Sequence, residues 1–141
     1  MTRPPDLPTR LRLVVTRLAR RLRQQAEAQV SPTQAAVLAT IDRRGPLTLG
    51  ELAEAERVQP PTITAAVDRL EQQGLVQRRR DAPDRRVVGV QLTAAGEALL
   101  DQTRSRKSAY LEQRLGAVSA RDRATLERAA SILERILEDE E

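Results

Sequence analysis

Residues 78–92 read RRRDAPDRRVVGVQL, with five arginines and two aspartates around a single proline. From Val88 to Leu92 every second residue is a large apolar one, and a period of two is typical of a half-buried strand. Residues 81–84, Asp-Ala-Pro-Asp, are the residue types that form turns. The stretch therefore predicts a β-hairpin whose tip carries Arg85 and Arg86.

Two short helices are predicted upstream of this hairpin from their capping residues. Ser31-Pro32-Thr33-Gln34 provides a polar N-cap, proline at the first helical position and glutamine three residues after the cap. That helix should end at Gly45-Pro46. Thr48-Leu49-Gly50-Glu51 is a second capping box, which predicts a helix that ends near Glu56.

A third helix should begin at Pro60-Pro61, because proline fits the first turn of a helix but not its interior. Ile63, Val67 and Leu70 form one apolar stripe, and Gly74 stands where a helix commonly ends. At about 100° per residue, the opposite side is small, hydroxylated and charged. It consists of Pro61, Thr62, Thr64, Ala65, Asp68 and Arg69.

Longer amphipathic helices flank this central part of the chain. One should run from Leu7 to about residue 28, a second follows Thr93, and a third begins at Ser119-Ala120-Arg121-Asp122. The Leu, Ile and Ala faces of the last two helices exceed what the small central part of the chain could cover, which favours a two-fold dimer. The alternative is that these helices fold back on their own subunit.

Three short helices followed by a basic two-stranded wing are the parts of a winged helix-turn-helix, whose third helix enters the major groove of DNA. The sequence thus predicts a mainly α fold with a small β-hairpin wing, flanked by N- and C-terminal dimerisation helices. Within one domain, residues 1–30 would form the N-terminal dimerisation helix, 31–92 the DNA-binding region and 93–141 the C-terminal dimerisation helices.

Composition and charge restrict the function. The 141 residues include no histidine and no cysteine, which removes the commonest general base, thiolate metal sites and thiol redox sensing. We therefore expect no enzyme, cofactor or metal site. The net charge is +4, but residues 1–30 carry seven arginines against two acids and residues 76–92 carry five against two, a distribution that suits a polyanionic partner. Neither a membrane span nor a secretion signal is apparent, so we expect a cytoplasmic protein.

The residue types on the third helix and the hairpin suit double-stranded DNA. Small hydroxylated side chains allow close approach to base edges, and arginines at a narrow hairpin tip can enter the minor groove. Asp68 is unfavourable there unless it pairs with a neighbouring arginine or accepts a hydrogen bond from cytosine. The arginine cluster could alternatively only protect an edge strand from aggregation. The candidate contacts are Pro61, Thr62, Thr64, Ala65, Arg69, Arg78, Arg79, Arg80, Asp84, Arg85 and Arg86.

The central residues resemble the signature of a known family. They are Val67-Asp68-Arg69-Leu70, Gly74-Leu75-Val76, Arg80, Asp84-Arg85-Arg86, Val90-Gln91-Leu92-Thr93 and Gly96. This pattern resembles the MarR family, the multiple-antibiotic-resistance-type transcriptional regulators. The resemblance implies a homodimer joined by its first and last helices on a pseudo-palindromic operator, with recognition helices in successive major grooves. It also implies that Arg86 is the wing-tip arginine of the minor groove and Asp84 the acid that positions it.

The resemblance further implies repression and release from DNA by a small aromatic or anionic effector. Arg12, Arg17 and Tyr110 are the candidate polar contacts for such an effector, although both arginines could instead be dimer-surface or phosphate-facing charges. Release by cysteine oxidation is excluded here. An alternative function is a winged-helix module that binds protein or RNA without reading an operator. Single-stranded RNA readers usually need stacking aromatics, however, and the one aromatic residue of this chain, Tyr110, lies outside the winged region.

Overall fold

A computed structural model describes residues 2–26, 29–80 and 88–139. The helices and strands follow the predicted order, which confirms a mainly α fold with a small β wing. They are α1 (Leu7–Ala26), α2 (Pro32–Arg44), β1 (Leu47–Thr48), α3 (Leu49–Glu56), α4 (Pro60–Gln72), β2 (Val76–Arg80), β3 (Val88–Leu92), α5 (Ala94–Leu115) and α6 (Ala120–Glu138).

The strands form an antiparallel sheet in the order β1-β3-β2. The wing hairpin pairs Val76 with Leu92 at its base and Arg80 with Val88 toward its tip. Strand β1, which pairs Leu47 with Val90, was not predicted from the sequence. Two residues next to a capping box are too short to show an alternating pattern.

The two predicted capping boxes are present. The Ser31 Oγ accepts a hydrogen bond from the Gln34 amide at 3.2 Å, and the Gln34 side chain accepts one from the Ser31 amide at 3.1 Å. Thr48 and Glu51 exchange the same two bonds at 3.1 Å each. Since each cap is worth about 1 kcal/mol, these pairs define where α2 and α3 begin.

An aliphatic core lies between α2, α3, α4 and the sheet. The stripe predicted for α4 is confirmed, because Ile63, Val67 and Leu70 are fully buried. The core residues are Val37, Leu38, Ile41, Leu47, Leu52, Ala53, Ile63, Val67, Leu70, Val76, Val90 and Leu100. This core orients the outer face of α4.

The flanking helices α1 and α6 leave many of their apolar side chains exposed, unlike the helices of the core. Helix α1 packs along α5, yet Val14, Val15 and Leu18 of α1 stay exposed. Helix α6 contains no buried residue. Four of its large apolar side chains, Leu126, Ile132, Ile136 and Leu137, are 48–66% exposed, whereas Leu133 is half-buried. The apolar face of α6 is therefore not covered by the described residues of its own subunit. None of the described helices has the length and apolar character needed to cross a bilayer.

Candidate nucleic-acid interface

The outer face of α4 is free of large apolar side chains. Its predicted members, Pro61, Thr62, Thr64, Ala65, Asp68 and Arg69, are all exposed. The Thr64 hydroxyl donates to the carbonyl of Pro60 at 3.0 Å, which leaves its oxygen lone pairs and its methyl group for a ligand. The core stripe therefore turns a narrow polar ridge, which a DNA groove can accept, toward solvent.

The first turn of α4 offers few backbone donors to a phosphate. Pro60 and Pro61 have no amide hydrogen, and the amides of Thr62 and Ile63 donate to the Gln59 carbonyl at 3.0 and 3.4 Å. Gln59 is the N-cap residue, but its exposed side chain makes no capping bond. Side chains, rather than helix-end amides, must therefore supply most polar contacts to a phosphate at this turn. Gln59 is added to the candidate DNA contacts for this reason. The sequence signal for Gln59 was a long amide directly before Pro60.

The turn between α3 and α4 contains a second residue that was not singled out from the sequence. Arg57 has φ 54° and ψ 45°, and it is the only non-glycine residue with positive φ among the described residues. It is exposed and forms no ion pair within those residues. A bulky residue in the left-handed region is strained, and no local sequence pattern indicated this conformation.

Arg78 joins the wing to α4. Its Nη2 lies 2.5 Å from Asp68 Oδ1 and its Nη1 lies 2.7 Å from Glu71 Oε1. The hydrogen bond to Asp68 raises the pKa of Arg78, burial opposes the rise, and the negative charges of Glu71 and Asp68 add to it. Asp68 thus has the arginine partner that it needs, and Arg78 is less available to a phosphate than its exposed neighbours Arg79 and Arg80.

The tip of the wing lies outside the described residues. Asp84, Arg85 and Arg86 belong to it, so their roles stay predictions. The hairpin is paired as far as Arg80 and Val88. Strand β2 is an edge strand, so protection of the edge also remains open as a role for its arginines.

The three residues predicted to contact an effector lie on α1 and α5. Arg12 and Arg17 are exposed on α1. The Tyr110 hydroxyl accepts from Arg114 Nε at 3.3 Å, and the Arg114 guanidinium lies 5.5 Å from the ring centre. Hydrogen bonding from Arg114, together with Arg21, lowers the pKa of Tyr110.

A groove of about 380 Å³ lies instead where α1, α2 and α5 meet. Arg20 and Arg23 of α1 and the half-buried Lys107 of α5 contribute three cationic side chains to its lining, while Ala26 and Val30 supply apolar surface. Arg17 lines only a smaller neighbouring depression with Arg20, Arg21 and Gln24. Neither Arg12 nor Tyr110 lines either space.

Comparisons with known proteins agree with this geometry. Residues 30–88 match the model of the MarR family. An uncharacterized HTH-type transcriptional regulator of Mycobacterium leprae is 33% identical over 134 residues, 94% of each chain. The HTH-type transcriptional repressor MdtR of Bacillus subtilis is 31% identical over 111 residues, 78% of this chain and 72% of that protein.

A solved structure of a MarR family protein from Bacillus stearothermophilus has a TM-score of 0.79 and 29% identity, and the match covers 93% of this chain and 92% of that one. The regulator from Mycobacterium leprae and the Bacillus stearothermophilus structure match this chain over nearly its whole length, so the similarity is not limited to the short helix-turn-helix. The chain belongs to the MarR family and is a DNA-binding transcriptional regulator, not an enzyme.

Proposed function

We propose that the chain is a dimeric repressor of the cytoplasm that reads a pseudo-palindromic operator with α4 in the major groove and the wing in the minor groove. The observation that carries this proposal is the small, hydroxylated, arginine-bearing face of α4, which is held outward by a fully buried stripe. Repression is supported by the relative named as a repressor. A module that binds protein is not favoured, because Thr62 and Thr64 are poor anchors for a protein partner and this face carries no exposed aromatic residue.

Roles on α4 follow from side-chain chemistry. Thr62 and Ala65 bring methyl groups close to thymine methyls, and the hydroxyls of Thr62 and Thr64 reach bases or phosphates. Pro61 contributes only a rigid apolar surface. Arg69, which is exposed and unpaired within the described residues, contacts a phosphate or a guanine.

Roles on the wing depend on which arginines are free. Arg79 and Arg80 bind phosphates from the edge strand, while Arg85 and Arg86 reach the minor groove and its backbone, with Asp84 orienting Arg86. Arg78 is assigned differently from its neighbours. Because two carboxylates of α4 hold it, it braces the wing against the recognition helix.

The exposed apolar faces of α1 and α6 support dimerisation through residues 1–30 and 93–141, with DNA binding by residues 31–92. A two-fold dimer places its recognition helices about one helical turn of DNA apart, roughly 34–36 Å. It also covers the apolar side chains that the single chain leaves in water.

The experiment that tests operator reading is selection of duplexes from a random DNA pool at roughly physiological salt, where non-specific electrostatic binding is weak. Wild type is compared with Arg69→Ala and Arg86→Ala, and with Arg121→Ala on the exposed surface of α6 as the control. Wild type and control should enrich the same pseudo-palindrome, and both interface variants should lose it. Failure of the wild type to enrich any sequence contradicts the proposal.

We also propose that the groove at α1, α2 and α5 takes the anionic effector. Lys107 and the two arginines supply positive charge, and the apolar lining suits an aromatic ring. Benzoate should weaken operator binding by the wild type, while the neutral benzamide should not. Lys107→Gln should respond less to benzoate and Arg121→Gln should respond like the wild type. An equal response of all three proteins to benzoate would show that this groove is not the effector site.

A further inference from the structure

The chain that leaves the recognition helix α4, the end of the second wing strand β3 and the start of α5 meet at Thr93. The Thr93 hydroxyl donates to the Gly74 carbonyl at 2.6 Å and accepts from the Gly96 amide at 3.1 Å. The Thr93 amide donates to the Leu75 carbonyl at 3.1 Å. One residue therefore caps α5 and also binds the chain that leaves α4.

The backbone that Thr93 contacts is itself fixed to α4. The Gly74 amide donates to the Glu71 carbonyl at 3.0 Å, and the Leu75 amide donates to the Leu70 carbonyl at 2.9 Å. Gly74 has φ +75°, a conformation that glycine adopts without strain. The 74–75 segment thus moves with the last turn of α4.

Gly96 removes the remaining freedom between the two helices. A Cβ atom built on Gly96 would lie 2.1 Å from the carbonyl oxygen of Leu75, far inside any allowed contact. Only glycine lets the α5 backbone lie this close to the Leu75 carbonyl.

Beyond Thr93 and Gly96, α5 packs along α1 and contacts α2, and Arg106 Nη1 donates to the Ala26 carbonyl at 3.1 Å. The contacts with α1 do not tie α5 directly to α4. The buried residues of α5 are Gly96 and Leu100, both in its first two turns. The Arg104–Asp42 ion pair at 2.9 Å is exposed at both ends, and such pairs contribute little. The hydrogen bonds at Thr93 and the close contact at Gly96 therefore link the start of α5 directly to the chain that leaves α4, which is where the angle between the two helices is set.

We propose that Thr93 and Gly96 form a rigid joint that fixes this angle and thereby sets the half-site spacing that the dimer accepts. The inference rests on the proposed dimeric operator binding. Helix α5 has 22 residues, about 33 Å at 1.5 Å per residue. A tilt of about 5° at its base moves its far end by about 3 Å, close to the roughly 3.4 Å rise of one base pair.

The first test uses operators whose half-sites are moved apart or together by one and two base pairs. Wild type should prefer its best spacing over the neighbouring ones by at least about tenfold, because a second half-site adds affinity only where the geometry allows both to bind. Thr93→Val keeps the shape but loses both side-chain bonds, and should reduce this preference to less than about threefold. Thr93→Ser should restore it.

A control variant tests whether loss of any helix N-cap, rather than loss of the joint, changes the preference for half-site spacing. Ser31→Ala removes an N-cap of the DNA-binding region without touching the joint, so it should keep the wild-type spacing profile. Binding to a single half-site should change by less than about twofold in Thr93→Val, because the outer face of α4 is unaltered. A wild-type spacing profile in Thr93→Val overturns the joint, whereas a wild type without any spacing optimum overturns the dimeric operator function as well.

A second measurement needs no operator. The chain has no cysteine, so Gln72→Cys, at the exposed end of α4, gives one spin-label site per subunit. Pulsed electron resonance should show a narrow label-to-label distance in the wild-type background, a broader one with Thr93→Val and a narrow one with Thr93→Ser. Gly96→Ala should shift the distance, since the added Cβ must displace α5. Unchanged distributions in both variants overturn the proposal.

Discussion

Asp68 places a carboxylate on the face of α4 that we assign to DNA. It is half exposed and shares Arg78 with Glu71. Asp68→Asn removes a negative charge that repels phosphate and frees part of Arg78, while Glu71 still holds the wing. We expect severalfold tighter DNA binding and a steeper dependence of affinity on salt, by about one counterion. Fluorescence anisotropy across a salt series measures both.

The control for Asp68 is Glu127→Gln, which removes an exposed acid from α6. It should leave the salt dependence almost unchanged, because α6 is not part of the proposed interface formed by α4 and the wing. Weaker binding by Asp68→Asn would mean that its bond to Arg78 matters more for DNA binding than its charge does.

Arg57 combines a strained backbone with an exposed positive charge in the turn before α4. Arg57→Gly relieves the left-handed strain, so the free energy of unfolding should rise by up to about 1 kcal/mol. The same change should weaken DNA binding and lower the salt dependence by about one counterion if the guanidinium binds phosphate. Urea unfolding and anisotropy report the two effects separately.

Arg57→Ala is the matched variant, because it removes the charge but keeps the Cβ atom. It should bind DNA as weakly as Arg57→Gly without the gain in stability. DNA binding equal to that of the wild type in both variants would remove Arg57 from the interface.

At the scale of helices and strands, the sequence predicted best those features that depend on residues close together in the chain. Capping boxes at Ser31 and Thr48 and the stripe through Ile63 are contained in short windows, so α2, α3 and the outer face of α4 followed from sequence. Contacts between residues far apart in the sequence could not be predicted in this way. Thr93 binds Gly74 across 19 positions and Arg78 binds Asp68 across 10, and only the folded chain shows which arginine is held and which is free.

The capping box of α3 also predicts a pH effect. Hydrogen bonds from the Thr48 amide, and then from the Thr48 side chain, lower the pKa of Glu51 below its ordinary value of 4.5. A carboxyl group whose pKa is lower in the folded state stabilises the fold above its unfolded pKa, and this contribution is lost as pH falls through the folded value. Urea midpoints should therefore fall more between pH 6 and about pH 3 in wild type than in Glu51→Gln.

Glu54→Gln is the control for this pH effect, since Glu54 is an exposed acid of the same helix that caps nothing. Its urea midpoints should follow the wild-type pH profile. A Glu51→Gln profile that matches the wild type would show that the cap contributes no measurable linkage between pH and stability.

At the scale of the whole molecule, the buried core of the proposed DNA-binding region and the proposed dimer surface are separate. Core residues lie mainly on α2 to α4 and the sheet, whereas α6 buries none of its own. A charge on α6 should therefore break the dimer without unfolding the DNA-binding region. Ile132→Asp, at a side chain 48% exposed in the single chain, should yield a monomer by light scattering while circular dichroism stays helical.

If Ile132→Asp is a monomer, its DNA affinity should change in a specific way. Ile132→Asp should lose most of its affinity for a two-half-site operator, because the second contact no longer follows from the first, yet should bind a single half-site as the wild type does. Glu134→Gln, an exposed substitution two residues away, should remain dimeric and bind both DNAs normally. If Ile132→Asp stays dimeric and keeps operator affinity, the α6 face is not the subunit interface, and its exposed apolar side chains must be covered by another partner.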